Sequence, residues 1–353
     1  MGRGFLAFSS PAWYLYWLTM TAYLFNDRYS AGVWMFGSFV DRYATDGYGA
    51  SVPIGDAIRA AASVGGIESL DLNYPFWSAD VSVAEVRAAL DETGLRALAI
   101  TPEIYTREFR AGAFTNPDAK IRQRALDLVA RATEIGYELG VDYMKIWPGQ
   151  DGFDYPLQAD PRRLWELSVE GMRAAAGPHP QLPFAIEYKP KEPRTHMFFS
   201  DAARTLLAIE DVGLPNVGVL LDFGHSLYGG ESPAAAAELC LARGRLIDID
   251  LNDNFRGWDD DMAVGSVHLT ETLEFLHTLR RAGWEKAWKL DQFPFREDPV
   301  EAARASIRML RALHRLLDRI DDEDFAAARE RQDALAAQRL VQELLLGEPT
   351  EAR

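Results

Sequence analysis

Acidic side chains recur at two-residue spacing inside an apolar run. Asp248 and Asp250 sit in LIDIDLN, and Asp259, Asp260 and Asp261 follow consecutively a short loop later. Strand side chains alternate, so Asp248 and Asp250 share a face. Buried carboxylates are costly unless something cationic compensates them. A divalent ion is one solution, and a solvated acidic turn is the competing reading of the triple-aspartate run.

The same spacing occurs in two other apolar runs, Glu187 and Lys189 in PFAIEYKP and Lys289 and Asp291 in KAWKLDQFP, and a third, NVGVLLDFGH, carries Asp222 with His225 three residues on. Carboxylates in excess, one imidazole and no thiolate suit Mg²⁺, Mn²⁺ or Co²⁺. The candidate ligands outnumber what one cation ordinarily uses, which points to two neighbouring divalent metal ions bridged by Asp222. Asp248 and Asp260 are expected outside that set. Of the other histidines, His179, His268, His277 and His314 read as turn or helix residues, whereas His196 in PRTHMF is expected to bind substrate.

These residues need a scaffold that brings distant strands together. Eight β-like runs alternate with amphipathic stretches, at 31–39, 67–75, 95–101, 142–149, 183–190, 216–225, 245–253 and 286–294. Helical spacing is clear at 83–93, 119–139, 161–176, 201–209, 233–242, 267–282 and 299–319. Eight such units close an α/β (β/α)8 TIM barrel, whose active site lies at the C-terminal strand ends, where the polar residues above are found. The expected organisation is an apolar N-terminal extension (1–29), a barrel (30–318) and a C-terminal helical tail (319–353). Leu340, Leu344 and Leu345 in that tail need a surface to bury against, either the chain's own barrel or a neighbouring subunit. A homo-oligomer, dimer or tetramer, is expected.

With 353 residues and 48% apolar content, the chain is long enough for a full barrel core. Its 53 acids against 37 bases, net −16, argue against nucleic acid or an anionic membrane surface as partner. One cysteine, Cys240, excludes an internal disulfide and fits a cytoplasmic protein. The uncharged stretch from Phe5 to Phe25 has the length of a membrane span, but its serines, proline and many aromatic residues favour an apolar arm, so a membrane role is not expected.

The motifs together resemble the xylose isomerases. EYKPKEPR from Glu187 resembles their EPKPNEPR motif, IDLND followed by DDDMAVGS resembles their metal loop after strand seven, and residues 112–152 resemble their helix three and strand four with the tryptophan that follows. The resemblance covers roughly residues 31–317. It implies one metal held by Glu187, Asp222, Asp250 and Asp291, and a second held by Asp222, His225, Asp259 and Asp261. It also implies that Lys189 polarises the carbonyl of an open-chain sugar, that Asp259 acts in catalysis and that Trp147 walls the site. His225, Lys289 and His196 are taken as substrate-binding residues.

Two departures stand out. The strand-six ligand is Asp222 in a DxGH setting, which looks more like rhamnose isomerases. The second strand ends LDLNYPFW, with Asn73 and Tyr74 where the xylose isomerases carry a ring-opening histidine. The expected function is a divalent-metal-dependent aldose–ketose isomerase on an unphosphorylated sugar or sugar derivative, since no Gly-rich phosphate loop is evident. A metal-dependent epimerase or lyase and a non-catalytic sugar-binding barrel are the alternatives, with endonuclease chemistry disfavoured by charge.

Overall fold

The computed structural model describes residues 25–78, 80–320 and 322–347. The apolar arm expected at the N-terminus lies outside these up to residue 24; Phe25, its last residue, stacks on His314 with ring centroids 3.9 Å apart. Among the described residues no helix is long and apolar enough to cross a membrane.

Eight strands form one parallel sheet: β1 (Tyr29–Gly32), β2 (Ile67–Tyr74), β3 (Arg96–Pro102), β4 (Tyr143–Ile146), β5 (Phe184–Glu187), β6 (Val217–Asp222), β7 (Leu246–Asp250) and β8 (Trp288–Leu290). Their order is β7-β6-β5-β4-β3-β2-β1-β8. A further parallel bridge, Leu251 to Leu290, joins the two ends and closes the expected TIM barrel. The strands are buried on both faces, which is why they read as apolar runs.

The helices α1 (Ile54–Val64), α2 (Val83–Thr93), α3 (Ala119–Leu139), α4 (Pro161–Ala176), α5 (Ala202–Val212), α6 (Phe223–Tyr228), α7 (Pro233–Leu241), α8 (Leu269–Arg281) and α9 (Pro299–Leu317) connect the strands and follow the last one. Local chemistry sets their ends. Asp118, Asp160, Asp201 and Asp298 each accept a backbone N–H as N-cap, and Ser82 with Glu85 forms a capping box. Gly94, Gly140 and Gly213 end α2, α3 and α5 in the left-handed conformation.

Strands four, five, seven and eight end three or four residues before their expected bounds, at Ile146, Glu187, Asp250 and Leu290, and three further elements depart from the sequence reading. The first strand, expected over 31–39, stops at Gly32, and a 3-10 turn over Val33–Phe36 follows. The Trp34 indole folds back so closely over Gly32 that a Cβ there would lie 2.1 Å from the ring. Helix α1 was not foreseen, although its buried residues Ile54, Ala57, Ile58, Ala61 and Val64 follow helical spacing; its many alanines made the apolar stripe faint. The sixth strand, expected to reach His225, ends at Asp222, which instead caps α6.

The tail folds as α10 (Asp322–Glu330) and α11 (Ala334–Leu346). Leu344 is buried in the barrel's own apolar cluster and Leu345 packs against it. His277 Nε2 lies 2.7 Å from Asp322 Oδ1 and ties α8 to the start of the tail. The tail thus finds its surface on its own chain.

Beside the mouth, buried Asp151 accepts from the N–H groups of Ala113, Phe114 and Thr115 and from the Thr115 hydroxyl, at 2.8, 3.2, 2.8 and 2.6 Å. Its carboxylate fastens the loop before α3 to the loop after β4. Asp151→Ala leaves these buried donors without a partner and is expected to lower the unfolding free energy by about 2–4 kcal/mol in urea denaturation. A loss within experimental error would show that the loop holds itself.

Candidate metal centre at the barrel mouth

Four neighbouring strands deliver carboxylates to one place. Glu187, Asp222 and Asp250 are the last residues of β5, β6 and β7, and Asp291 directly follows β8; all four are buried. Each offers an oxygen within 4.8 Å of the others, and Glu187, Asp222 and His225 form a second, overlapping group of the same kind. The Asp222 carboxylate accepts the His225 N–H at 2.7 Å, starting α6 at the point that brings the imidazole back to the mouth. There His225 Nδ1 lies 2.9 Å from the Tyr188 carbonyl and Nε2 3.0 Å from Asp259 Oδ2.

The acidic loop is held from behind. Asp253 and Met262 exchange both backbone hydrogen bonds, and the Asp253 carboxylate accepts the N–H groups of Val267 and His268. Asp261 takes a left-handed φ of 48°, a strain of about 1 kcal/mol for a residue with a Cβ. Asn252 donates to both Asp222 and Asp261, at 2.9 and 3.1 Å. Asp260 instead accepts the Phe255 N–H at 2.9 Å and stays apart from the carboxylate group.

Three lysines are buried among these acids. Lys189 Nζ lies 2.7 Å from Asp259 Oδ2, also bonds Glu192, and sits 5.4 Å from the centre of the Trp147 ring. Lys289, expected to touch substrate, is placed in the barrel interior with no exposed surface. It lies two residues before Asp291 and directs its ammonium to Asp250 at 3.0 Å, Asp71 at 3.4 Å and the Tyr143 hydroxyl at 2.7 Å. Lys145, absent from the sequence-derived site, stands in the middle of the carboxylates, 2.8 Å from Glu187, 2.8 Å from Asp250 and 3.3 Å from Asp291.

Seven carboxylates (Asp71, Glu187, Asp222, Asp250, Asp259, Asp261 and Asp291) therefore face three lysines, and the imbalance shows in their protonation. Burial pushes the Asp222 carboxyl up to about 7; His225 opposes this, and Asp259, Asp250 and Glu187 add to it. Burial drives Asp261 and Asp291 well above the usual carboxylate range, with further repulsion from Asp259 and Asp250 respectively. At Asp250 and Asp259 burial also resists ionisation, but Lys145 and Lys289 at the first, and Lys189 and His225 at the second, hold the carboxyls below that range. Burial alone would lower His225, yet Asp222 and Asp259 raise it to about 9.

The side of the mouth formed by Asp222, His225, Asp259 and Asp261 carries donors of the kind a divalent cation takes. The donors are carboxyls and one imidazole, three carboxyls stand there against one lysine, Lys189, and the buried Asp259 Oδ1 has no hydrogen-bond partner among the described residues. Across the mouth, between Glu187, Asp250 and Asp291, the Lys145 ammonium already occupies the centre.

The remaining expectations fall as follows. Trp147 is half-buried at the mouth, edge-on to Tyr105 at 4.7 Å, and Gly149 makes room for it, since a Cβ there would lie 2.4 Å from the indole. His196 lies exposed on a small three-stranded sheet, stacked on Phe153 at 5.5 Å. Asp248, in the middle of β7 two residues before Asp250, is buried near Tyr143 and Lys286. Asn73, where an imidazole would be expected, donates to the Tyr105 hydroxyl at 2.9 Å. Besides Lys145, sequence reasoning missed Trp34, whose Nε1 donates to Asp291 Oδ1 at 2.6 Å. For Lys145 the signal was present, a charged residue inside the apolar strand YMKI, and it is the signal that singled out Asp250.

Residues 58–313 match the family model described as xylose isomerase-like TIM barrel. The chain is 30% identical over 236 residues to a xylose isomerase of Thermus thermophilus, covering 65% of this chain but only 61% of that protein. It is 27% identical over 305 residues to a xylose isomerase of Thermus caldophilus, covering 80% and 76%. Among solved structures, a D-allulose 3-epimerase from Methylomonas in complex with D-allulose superposes with a TM-score of 0.62 at 17% identity, over 81% of this chain and 96% of that one. The apo form of a 3-keto-D-glucoside 4-epimerase from E. coli superposes with a TM-score of 0.59 at 16% identity, over 79% and 98%. At such identities the superpositions speak for the fold alone.

If the mouth holds a divalent ion, Mn²⁺ at 100 times its dissociation constant raises the unfolding free energy by about 2.7 kcal/mol. This is read as a rise in Tm that EDTA reverses. Asp259→Asn should lose most of that rise relative to its own metal-free Tm, and an equal rise in both proteins would place the ion elsewhere.

Proposed function

The chain belongs to the xylose isomerase-like TIM barrel family, and on that premise we propose that it is a divalent-metal-dependent aldose–ketose isomerase acting on an unphosphorylated sugar or sugar derivative. The observation that carries this reading is the convergence of Asp222, His225 and Asp259 beside Lys189, in a mouth with more carboxyl than ammonium groups. Polyhydroxylated, uncharged substrates suit such a mouth, whereas an anionic group would be repelled.

Asp222, His225, Asp259 and Asp261 would hold the ion. Bound there, it would supply Lewis-acid stabilisation of negative charge developing on the substrate's oxygens. The chain's own residues prepare the rest. The Tyr188 carbonyl engages Nδ1 of His225, which fixes the ring and leaves Nε2 facing the mouth. An ammonium has three donors; Lys189 gives two to Asp259 and Glu192 and keeps one for a substrate carbonyl oxygen. Trp147 beside it supplies an apolar wall that excludes water and strengthens that bond.

A second reading, proton transfer through an enediolate to give an epimerase or lyase, draws support from Glu103. This half-buried carboxyl follows β3 at the same end of the barrel, and burial pushes it up to about 6, where it can take and return a proton near neutrality.

The two readings separate with a panel of aldoses deuterated at C2, incubated with Mn²⁺, Mg²⁺ or Co²⁺. Hydride shift carries the label to C1, whereas proton transfer exchanges it with solvent. Turnover that persists unchanged in EDTA would overturn both. Lys189→Met is expected to lower kcat/KM by about 100- to 1000-fold, the effect of removing one donor from a developing oxyanion, and full activity in that variant would remove Lys189 from the mechanism.

A further inference from the structure

We infer that the Lys145 ammonium permanently takes the place of one of the two divalent cations that the carboxylate set would otherwise hold, so that the chain binds a single divalent ion, on the Asp222–His225–Asp259 side of the mouth. The inference rests on reading the mouth as a metal centre and specifies how many ions it takes.

The geometry is that of an ammonium site already filled. Lys145 Nζ lies 2.8, 2.8 and 3.3 Å from oxygens of Glu187, Asp250 and Asp291, one for each of its three donors. Its open side faces the Trp34 indole, whose centre is 4.8 Å away, a cation–π contact. The side chain is only 3% exposed and is enclosed by these groups.

The carboxylates are also spoken for. Both Asp250 oxygens face lysines, Oδ2 towards Lys145 at 2.8 Å and Oδ1 towards Lys289 at 3.0 Å. Both Asp291 oxygens are engaged, Oδ1 by the Trp34 indole N–H at 2.6 Å and Oδ2 by Lys145 at 3.3 Å. An ion between them would have to approach these oxygens to about 2.0–2.6 Å while lying against a fixed positive charge. Asp250 Oδ1 and, on the other side, Asp259 Oδ1 are both buried without a hydrogen-bond partner among the described residues, but Asp250 Oδ1 lies 3.0 Å from the Lys289 ammonium, whereas Lys145 does not reach Asp259.

A lysine in this position changes what the site can do. It neutralises charge without exchanging, and it presents no open coordination position to a second substrate oxygen. Two neighbouring oxygens of a sugar would then be held by one ion and one or more ammonium groups rather than by two ions.

The test is stoichiometry on the full chain, independent of turnover. After equilibrium dialysis against excess Co²⁺ or Mn²⁺, elemental analysis is expected to give one ion per wild-type chain. An anomalous difference map from Co²⁺-soaked crystals should show one peak, near Asp222 and Asp259, and none between Glu187, Asp250 and Asp291. Two ions per chain, or a peak between those three, overturns the inference while leaving the metal centre standing; no bound ion overturns both. Lys145→Met removes the resident charge and is expected to bind two ions per chain. A folded Lys145→Met variant that still binds one overturns the inference, and if that variant does not fold, the wild-type anomalous map decides.

Discussion

Carboxylates cannot be crowded inside a barrel unless positive charge is fixed among them. Seven of them meet at this mouth, brought there by the alternation of side chains along parallel strands, and the structure distributes three lysines through the group at different depths. Lys289 neutralises the floor, Lys145 the centre and Lys189 the rim. Burial, reinforced by the neighbouring carboxylates, makes Asp222, Asp261 and Asp291 weaker acids than usual. Removing one buried partner of such an arrangement generally costs more than the pair itself contributes, because the survivor keeps its desolvation penalty. The mouth is thus a coupled unit in which no carboxylate's state is independent of its neighbours.

Much of the fold was legible because barrel strands and helices write their signal locally. The run LRALAIT becomes β3 and the stretch from Ala119 to Leu139 becomes α3 with the expected bounds, since apolar period and terminal glycines act within a few residues. The errors arise where distant contacts decide. The first strand ends early because Trp34 turns toward Asp291, 257 positions away. The sixth strand ends at Asp222 because that side chain is used as a helix cap as well as a mouth carboxylate.

The site was legible to the same degree. Glu187, Asp222, His225, Asp250, Asp259, Asp261 and Asp291 could be collected from spacing, because each sits late in a strand or in the loop behind it. Their counter-charges were harder to read. Lys289 shares a face with Asp291 and so looked like a mouth residue, whereas depth along the barrel axis, which no periodicity encodes, places it in the interior. Lys145 escaped because attention went to acids as ligands, and a lone lysine in an apolar strand was not asked what it neutralised. The aromatic residues Trp34, Tyr105 and Trp147 form no pattern at all in sequence; they come together only when the strand ends do.

The Trp34 to Asp291 bond has a bearing on how the chain is made. A polypeptide emerging from the ribosome presents Lys145 well before Asp250 or Asp291 exists, and the first strand cannot meet the last until almost the whole barrel has been synthesised. For most of translation, then, the mouth is an incomplete set of charges with no seam to enclose it, and contacts between such distant residues are slow to form. The order of synthesis makes this centre a late product of folding: it can lock a finished barrel, but it cannot serve as the template on which the barrel is built.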